Sequence, residues 1–330
     1  MKFNLIICTF QRPMAIMKLL DSVYEQILVP DEILVVDGSY DDETGNLFQQ
    51  HKLPGLKYYR VEVEDRGLTR QRNYGVKKAG KNMDVICFLD DDIILEEDYF
   101  QNLINTYYEF PDAIGVGGYI LDEVKWERKQ ISPMYAEYKI DGWTRKLGSR
   151  NLLRKRLGLL STKPPGIMPD FSNGLSTGFL PPSGKVYPVD YFMGGVASYK
   201  KGLLEKIGFS KYFEGYGLYE DMDFCLRASR HGQLYVNTAA QVHHYHEEAG
   251  RPNSFKYGKM VVRNGWYVWR VKNPNPSLTA RFKWMAVAVL LLGVRCGNIL
   301  SSTKKKEVLF ECLGRKAGLI SLIFQKPVPK

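Results

Sequence analysis

The sequence predicts an α/β fold in which a mostly parallel sheet is flanked by helices and followed by a helical, basic C-terminal extension. Short runs rich in valine, isoleucine, leucine and tyrosine alternate with helical patterns over residues 1–120, and such alternation is typical of a parallel sheet covered on both faces. With 330 residues, 45% of them hydrophobic, the chain can bury a large core. From Pro252 onward the pattern is helical and basic.

The first half of the predicted sheet comes from four runs of β-forming residues. They are KFNLIICTF (2–10), EILVVD (32–37), LKYYRVEV (56–63) and MDVICFLD (83–90). Pro13 opens the first helix, which has an apolar stripe, and a second helix covers 68–79 and ends at Gly80. The segment IILEEDYFQNLI (93–104) is predicted to be helical.

The remaining elements define the predicted domains. Residues 121–190 are proline-rich, carry the basic run 145–156 and are interpreted as an irregular insertion on the acceptor side. Helices near 200–207 and 219–230 and strands near 234–237 and 241–246 follow. Residues 1–250 form the first predicted domain, with one half at 1–120 and the other at 187–250, and residues 251–330 form the extension.

Charge and cysteine content suggest partners and a compartment. The net charge is −8 over 1–120 and +14 over 251–330, which suggests two surfaces with different partners. The basic tail fits a solvated helical face, an anionic membrane surface or a phosphorylated acceptor; no zinc-finger or RNA-recognition signature supports nucleic acid. Five scattered cysteines predict free thiols and a cytoplasmic protein, peripheral on the inner face of the plasma membrane if the tail binds lipid.

An apolar segment lies inside the basic tail. Residues 284–294 are apolar between Lys283 and Arg295, and the run is too short to cross a bilayer, which takes about 20 residues. It is predicted to be either a buried helix or one that lies in the membrane interface.

Polar side chains follow three of the predicted strands where each strand ends. Because ligands bind at the carboxyl ends of parallel strands, Thr9–Arg12, Asp37–Ser39 and Asp90–Asp92 should share one edge. The three aspartates repel one another, and a divalent cation on a pyrophosphate would offset that repulsion. A helix N-terminus is the alternative explanation for them.

Two further motifs suggest chemistry. Asp221, beside Glu220 at the start of a helix, can be a general base for an acceptor hydroxyl, or only a helix cap. In VHHYHEE (242–248), His244 and His246 share one face of a strand and His243 the other, so one of them can bind metal; a polar strand end is the alternative. Four arginines are candidates for a diphosphate: Arg12, Arg66, Arg70 and Arg72.

Other nucleotide-binding classes do not fit. The segment GFLPPSGKV (178–186) has one residue too many for a P-loop and ends in valine, and its prolines lack amide donors. No G-x-G-x-x-G turn follows the first strand, so a dinucleotide oxidoreductase is disfavoured.

Taken together, these motifs resemble those of the family-two inverting glycosyltransferases with the Rossmann-type GT-A fold. The resemblance covers about residues 2–120 and 187–250. Its motifs are TFQRP (9–13), VVDGS (35–39), DRGLTRQRNYG (65–75), FLDDD (88–92), which matches the family's DXD motif, and GGVASY…EDMDFCLR (194–227). VVDGS is one residue shorter than the family pattern, and Asp65 replaces an asparagine.

The resemblance implies a role for each matching residue. Nucleotide-sugar binding falls to Thr9, Gln11, Arg12, Asp37, Arg72, Asp90 and Asp91. Asp92, helped by Asp90 and by His244, would hold Mn or Mg on the diphosphate, with His243 or His246 as alternatives to His244. Asp221 would be the general base, supported by Glu220.

The function predicted on this basis is inverting, metal-dependent transfer of a single sugar to a glycan or lipid-linked acceptor, in cell-surface polysaccharide or glycolipid synthesis. Processive synthases of this fold carry Q-x-x-R-W and several membrane spans, and this sequence has neither. The alternatives are a sugar-nucleotide nucleotidyltransferase, whose glycine-rich loop is missing after the first strand, and a non-catalytic nucleotide-sugar-binding protein.

Overall fold

The computed structural model describes residues 1–121, 123–129, 133–213, 215–245 and 253–329. They divide into two compact units. The sheet unit consists of 1–124 and 180–250, and the helical unit consists of 125–179 and 251–330. The predicted insertion and the predicted extension thus fall largely into one unit, while the domain boundaries at 120, 190 and 250 stay predictions.

The elements agree closely with the strand and helix patterns of the sequence. The strands in the described part of the chain are β1 (Phe3–Thr9), β2 (Glu32–Asp37), β3 (Leu56–Arg60), β4 (Val85–Leu89), β5 (Ile93–Leu95), β6 (Ala113–Ile120), β7 (Glu127–Arg128), β8 (Glu137–Ile140), β9 (Trp143–Lys146), β10 (Val186–Val189), β11 (Val196–Lys200) and β12 (Gln233–His244). The α-helices there are α1 (Pro13–Tyr24), α2 (Glu43–Gln49), α3 (Leu68–Lys78), α4 (Tyr99–Glu109), α5 (Ser149–Arg156), α6 (Lys201–Ile207), α7 (Glu220–Ala228), α8 (Ser254–Lys272), α9 (Leu278–Gly297) and α10 (Lys305–Phe324).

The sheet unit is organised around a nine-stranded sheet of order β10-β12-β6-β11-β4-β1-β2-β3, with β5 paired to β12. Strands β3, β2, β1 and β4 are parallel. Strand β11 then joins β4 to β6 in antiparallel pairing, and β12 runs parallel to β6. The predicted α/β class is confirmed, and the parallel pairing that places the site runs through β3, β2, β1 and β4.

Burial explains why these residues form strands and amphipathic helices. Strands β2 and β4 are buried along their whole length and β1 along nearly all of it, as expected for a sheet covered on both faces. The apolar stripe predicted for α1 is confirmed, because its buried residues include Ile16, Leu19, Leu20 and Val23.

The segment after the three aspartates is a correction. Residues 93–104 were predicted to be one helix, but Ile93–Leu95 form β5 and α4 begins only at Tyr99. The partner of β5 is the end of β12, about 150 residues later in the chain, and a local pattern cannot show such a long-range pairing. Asp90–Asp92 therefore do not stand at a helix N-terminus, and that alternative explanation for them is wrong.

The helical unit contains the small antiparallel sheet β7-β9-β8 and helices α5, α8, α9 and α10. Helices α8 and α10 approach so closely that a Cβ added to Gly318 would lie 2.9 Å from Val262 Cβ. Cys296 of α9 and Cys312 of α10 form a disulfide with their Cα atoms 5.5 Å apart. The prediction of free thiols is wrong for this pair, which the packing of α9 on α10 brings together, and the argument for a cytoplasmic location from thiols is weakened.

The apolar segment 284–294 lies within α9. Trp284 and Val287 are buried, Val289 is exposed and most of the rest is half-buried. The segment is therefore neither fully buried nor a continuous exposed face. Within the described ranges, the helices all fall short of the length and apolarity needed to cross a bilayer.

The contact between α3 and the parallel strands gives a stability prediction. A Cβ at Gly75 would lie 2.7 Å from Ile6 Cγ2 and 3.3 Å from Val36 Cγ2. We expect Gly75→Ala to lower the free energy of unfolding by about 1–3 kcal/mol, because the helix must move off the strands. Urea denaturation followed by circular dichroism measures it.

The matched control is Gly202→Ala in α6, where an added Cβ meets no atom within 4 Å. This variant should be neutral, or up to about 1 kcal/mol more stable because alanine favours helices. Equal stability of the two variants would contradict the tight packing of α3.

Candidate functional site

The carboxyl ends of β1, β2 and β4 lie side by side, as the sequence predicted. Thr9 and Asp37 are paired residues at the ends of β1 and β2. Thr9 Oγ1 donates a 2.6 Å hydrogen bond to Asp91 Oδ2, just after β4. Gln71 of α3 fixes two of these ends, since its Nε2 donates to the carbonyls of Thr9 and Val36 at 3.0 and 2.8 Å.

Asp37 is fully buried and both of its oxygens accept hydrogen bonds. Oδ1 accepts from the Ser39 amide at 2.8 Å, and Oδ2 accepts from the Tyr58 hydroxyl at 2.9 Å. Burial and the bond to Asp37 raise the pKa of Tyr58, so this hydroxyl stays a donor. Gln11 has a left-handed backbone (φ 53°) held by its amide on Ser39 Oγ at 2.7 Å, and its side chain is exposed at this edge.

Asp91 is buried between Thr9 and Arg12. Arg12 Nη1 lies 2.8 Å from Asp91 Oδ1 and 3.4 Å from Asp92 Oδ2. Burial raises the pKa of Asp91 to about 6, while Arg12 and Thr9 oppose the rise. Asp91 therefore uses both oxygens within the protein.

Asp92 meets His244 because of the β5–β12 pairing, which sets His244 opposite Ile93. His244 Nε2 lies 3.1 Å from Asp92 Oδ1, and its Nδ1 lies 3.6 Å from Glu123 Oε1. The hydrogen bond to Asp92 and the nearby Glu123 carboxylate raise the pKa of His244 to about 10, and burial opposes the rise. A protonated imidazole cannot bind metal, so a metal ion at Nε2 would have to displace this proton.

His243 is not placed beside the aspartates. His243 Nε2 lies 2.7 Å from Glu96 Oε1, on the opposite face of β12 from His244, as the alternation along a strand requires. His246 lies outside the described residues. Of the described pair, His244 is therefore the one that contacts the aspartate run.

Arg72 is the buried cation of the site. Its Nη1 pairs with Glu220 Oε1, and its Nη2 donates to the Gly194 carbonyl at 3.1 Å and lies 3.6 Å from Asp90 Oδ1. Burial alone would lower the pKa of Arg72, but the carboxylates of Glu220 and Asp90 keep it raised. Burial likewise raises the pKa of Glu220, and Arg72 opposes the rise.

Asp221 is held at the start of α7 by two backbone amides. Gly194 N donates to Oδ2 at 3.2 Å and Met222 N to Oδ1 at 2.7 Å. The chain enters the helix through Tyr219 in the left-handed conformation (φ 71°). The side chain is only partly buried, and desolvation raises its pKa against the effect of both amides. Asp221 thus combines access from solvent with a proton affinity above that of an ordinary aspartate.

Two neighbouring glycines make this arrangement possible, and sequence reasoning missed them as site residues. A Cβ at Gly194 would lie 2.8 Å from Arg72 Nη1 and 2.9 Å from Glu220 Oε1, and one at Gly195 would collide with the Asp90 carboxylate. Consecutive glycines just before a strand signal a close approach of other atoms to the backbone, which was the available clue. Gln71 and Glu123 carried no comparable signal.

The four candidate arginines separate into two pairs. Arg12 and Arg72 contact the carboxylates. Arg66 instead stacks over the exposed ring of Tyr40, 4.8 Å from its centroid. Arg70 donates to the Glu64 carbonyl. Of the two pairs, the first contacts Asp90, Asp91, Asp92 and Glu220, which form the acidic cluster of the site.

The donor set fits a hard divalent cation on a phosphate substrate rather than a cage made wholly of protein. Among the described residues, no three His, Cys, Asp or Glu side chains are arranged to hold an ion. Asp92 and His244 nevertheless place an oxygen and a nitrogen 3.1 Å apart. Mg²⁺ commonly binds one or two protein carboxylates plus substrate phosphates, so a diphosphate would have to supply the missing ligands. Asp90, two residues before Asp92, has a side chain that is 44% exposed.

Comparison with known proteins gives a family match and distant relatives. The model of the glycosyl transferase family 2 matches residues 4–179. The glucosyl-dolichyl phosphate glucuronosyltransferase of Haloferax volcanii is 26% identical over 135 residues, which are 40% of this chain and 42% of that protein. The O-antigen chain rhamnosyltransferase RfbN of Salmonella typhimurium is 32% identical over 115 residues, 34% of this chain and 35% of that one. The chain thus matches less than half the length of these relatives.

Two solved structures share the fold over most of the chain. The mannosyltransferase PcManGT from Pyrobaculum calidifontis, in complex with GDP-Man and Mn²⁺, superposes with a TM-score of 0.55 at 15% identity, covering 99% of this chain and 88% of that one. TarS of S. aureus (1–349) gives a TM-score of 0.54 at 18% identity, covering 98% and 81%. Such low identities establish a shared fold and nothing more specific.

The buried Arg72–Glu220 pair gives the prediction for this subsection. We expect Arg72→Met to lower the free energy of unfolding by about 3–5 kcal/mol, because Glu220 would be left buried without its cation. Adding Glu220→Met should recover part of this loss, since the uncompensated carboxylate is then gone. Denaturant titration of both variants, with Glu220→Met alone to complete the cycle, measures the coupling. Strict additivity of the two single effects would contradict a buried ion pair.

Proposed function

The chain belongs to glycosyl transferase family 2, and we propose that it transfers a single sugar from a nucleotide-diphosphate sugar to a hydroxyl of a glycan or lipid-linked acceptor, with inversion at the anomeric carbon. The observation that carries the proposal is the backbone of Gly194. Its carbonyl accepts from Arg72 and its amide donates to Asp221, so one residue links the carboxylates around Arg72 to a partly exposed carboxylate.

The donor side of the proposed site lies at the ends of β1, β2 and β4. Gln11, Arg12 and Asp90 would contact the nucleoside and diphosphate, and the buried Thr9, Asp37, Asp91 and Arg72 would hold them in position. Support comes from the contacts that fix these side chains before any ligand arrives, such as the Thr9–Asp91 bond and the Arg12–Asp91 pair. Preorganised groups lose little entropy on binding.

Mn²⁺ or Mg²⁺ is the proposed cofactor, held by Asp92 and His244 with help from Asp90. When bound, such an ion acts as a Lewis acid that stabilises negative charge on the leaving diphosphate. His244 is positioned for this role because Glu123 lies at its Nδ1 while Nε2 points to Asp92.

Asp221 is the proposed general base. The acceptor oxygen attacks the anomeric carbon from the face opposite the diphosphate and passes its proton to Asp221, while the bond from that carbon to the diphosphate oxygen breaks and its electron pair leaves with the diphosphate. Attack from the opposite face inverts the configuration. Glu220 acts indirectly, because it anchors Arg72 and thereby the Gly194 peptide that holds Asp221.

The two alternatives are disfavoured by the same residues. A sugar-nucleotide nucleotidyltransferase has no need for a base tied to the Gly194 peptide. A non-catalytic binding protein has no need for a partly exposed carboxylate with a raised pKa.

For location, we propose the inner face of the plasma membrane, in cell-surface polysaccharide or glycolipid synthesis, which fractionation of the native cells would test.

The role of Asp221 is tested by Asp221→Asn. This variant should bind nucleotide sugar as wild type does but transfer the sugar at least about 100-fold more slowly, because no base remains to take the proton from the hydroxyl of the acceptor substrate. Calorimetry measures donor affinity, and a product assay, or donor hydrolysis if the acceptor is not in hand, measures turnover. Near-normal turnover would remove Asp221 from the mechanism. Asp92→Ala, in contrast, should damage binding and turnover together.

The pH dependence of kcat provides a second reading of the same residue. Asp221 accepts a proton only when ionised, and its pKa is raised above 3.8 by burial. The rate should therefore rise with pH through an acid limb that lies above the pKa of an ordinary aspartate. The slow residual reaction of Asp221→Asn should lack this limb; an unchanged limb would assign it to another group.

Metal binding should depend on the substrate. We expect Mn²⁺ to bind weakly to the protein alone and at least about tenfold more tightly with a nucleoside diphosphate, because two protein ligands are too few. Affinity should rise from about pH 6 to about pH 8, since the ion displaces the proton of His244. His244→Ala should weaken binding at least about tenfold, and the adjacent His243→Ala, which faces Glu96, is the control. Equal losses in both variants would remove His244 from the metal site.

A further inference from the structure

Helix α10 exposes an apolar face. Its exposed large apolar residues recur at helical spacing and so lie along one side of the helix; they are Leu309, Phe310, Leu313, Ile320, Ile323 and Phe324, referred to below as the outward stripe. Ile323 is 72% exposed and Phe324 84% exposed. The opposite face of the helix is buried at Val308, Cys312 and Leu322. The outward stripe therefore faces away from the core of the helical unit.

The opposite face explains why the stripe cannot turn inward. Helix α10 packs on α8 through glycines, and a Cβ at Gly314 would lie 3.0 Å from Lys259 N. Such a close backbone approach fits only the small-residue face of the helix. The orientation of the outward stripe is therefore fixed by this packing.

Positive charge lies along α10 and at both of its ends. Residues 304–326 contain six lysines and arginines against two glutamates. Glu311, one of the two, is taken up by ion pairs with Arg295 and Arg315. Within α10 the exposed cations are Lys305 and Lys306 at the beginning and Lys316 in the middle of the stripe, and Lys326 follows the helix.

We propose that the outward stripe of α10 is a membrane-docking surface that lies in the interface of an anionic lipid bilayer. Apolar side chains would enter the boundary between headgroups and acyl chains, and the lysines would bind the anionic headgroups. A second copy of the chain would cover the apolar atoms equally well, but it would bring the same lysines against one another, and like charges repel. A lipid surface satisfies both features. This surface is distinct from the segment 284–294 that the sequence suggested, and it does not depend on the proposed sugar transfer.

The test uses the full chain and lipid vesicles. The chain should sediment with vesicles of phosphatidylcholine mixed with phosphatidylglycerol and not with phosphatidylcholine alone, and added salt should weaken this binding. The double variant Ile323→Ser and Phe324→Ser should lower the partition coefficient at least about tenfold, because binding scales with the apolar area buried. Both side chains are mostly exposed, so the fold should not depend on them.

The matched control is Ile27→Ser with Val63→Ser, which removes two apolar side chains of the sheet unit that are 60% and 69% exposed. It should sediment as wild type does. Equal binding of the α10 variant and wild type, equal binding to neutral and mixed vesicles, or no binding to either would overturn the proposal. So would light scattering that finds a lipid-free dimer which the α10 variant converts to a monomer, since a second copy would then cover the stripe. Calorimetric binding of a nucleoside diphosphate should be the same in all variants, which keeps a failure of this proposal distinct from a failure of the donor site.

Discussion

The acidic site depends on one buried guanidinium. Arg72 comes from α3, Glu220 from α7, Asp90 from the end of β4 and the Gly194 carbonyl from the loop before β11, and these groups meet around its two terminal nitrogens. Carboxylates this close together would be forced to protonate or separate without an internal cation. Because Arg72 also packs against the rings of Phe88 and Phe209, whose centroids lie 5.5 and 5.4 Å from its Cζ, its position is set by the hydrophobic core. The geometry of the site therefore depends on how the core is packed around Arg72.

The site brings groups from distant parts of the chain to a shared set of short contacts. Thr9 and Arg12 fix Asp91, the pairing of β5 with β12 fixes His244 against Asp92, and Gly194 fixes Asp221. None of these contacts joins residues that are neighbours in sequence. The protein side is therefore largely complete before substrate binds, and under the proposed function the remaining metal ligands would be oxygens of the diphosphate. In that case the substrate would supply part of the metal site that positions it for reaction.

Local patterns were sufficient where a structure depends on local order. The edge shared by Thr9, Asp37 and Asp91 followed from strand–helix alternation, β2 was predicted from its run of β-forming residues, and the beginning of α1 was predicted from Pro13 and the apolar stripe that follows. Long-range pairing was not visible. The pairing of β5 with β12 determines that Ile93–Leu95 form a strand and that His244 faces Asp92. The packing of α9 on α10 brings Cys296 to Cys312. The exposed side of α10 was likewise missed, because a sequence shows an apolar stripe but not whether that stripe faces the core.

The glycine face of α10 has a consequence for how the chain can change over time. At Gly258, Gly314 and Gly318 any side chain would meet the backbone or Cβ of the facing helix. Substitutions at these positions should therefore be destabilising and rare in evolution. The large apolar side chains on the other side of the same helix are 43–84% exposed, so the protein limits their size much less. A scan of all single substitutions would therefore show tolerance that rises and falls with a period near 3.6 residues. In related chains the register of this helix would be recognisable by its glycines long after the outward residues had been exchanged.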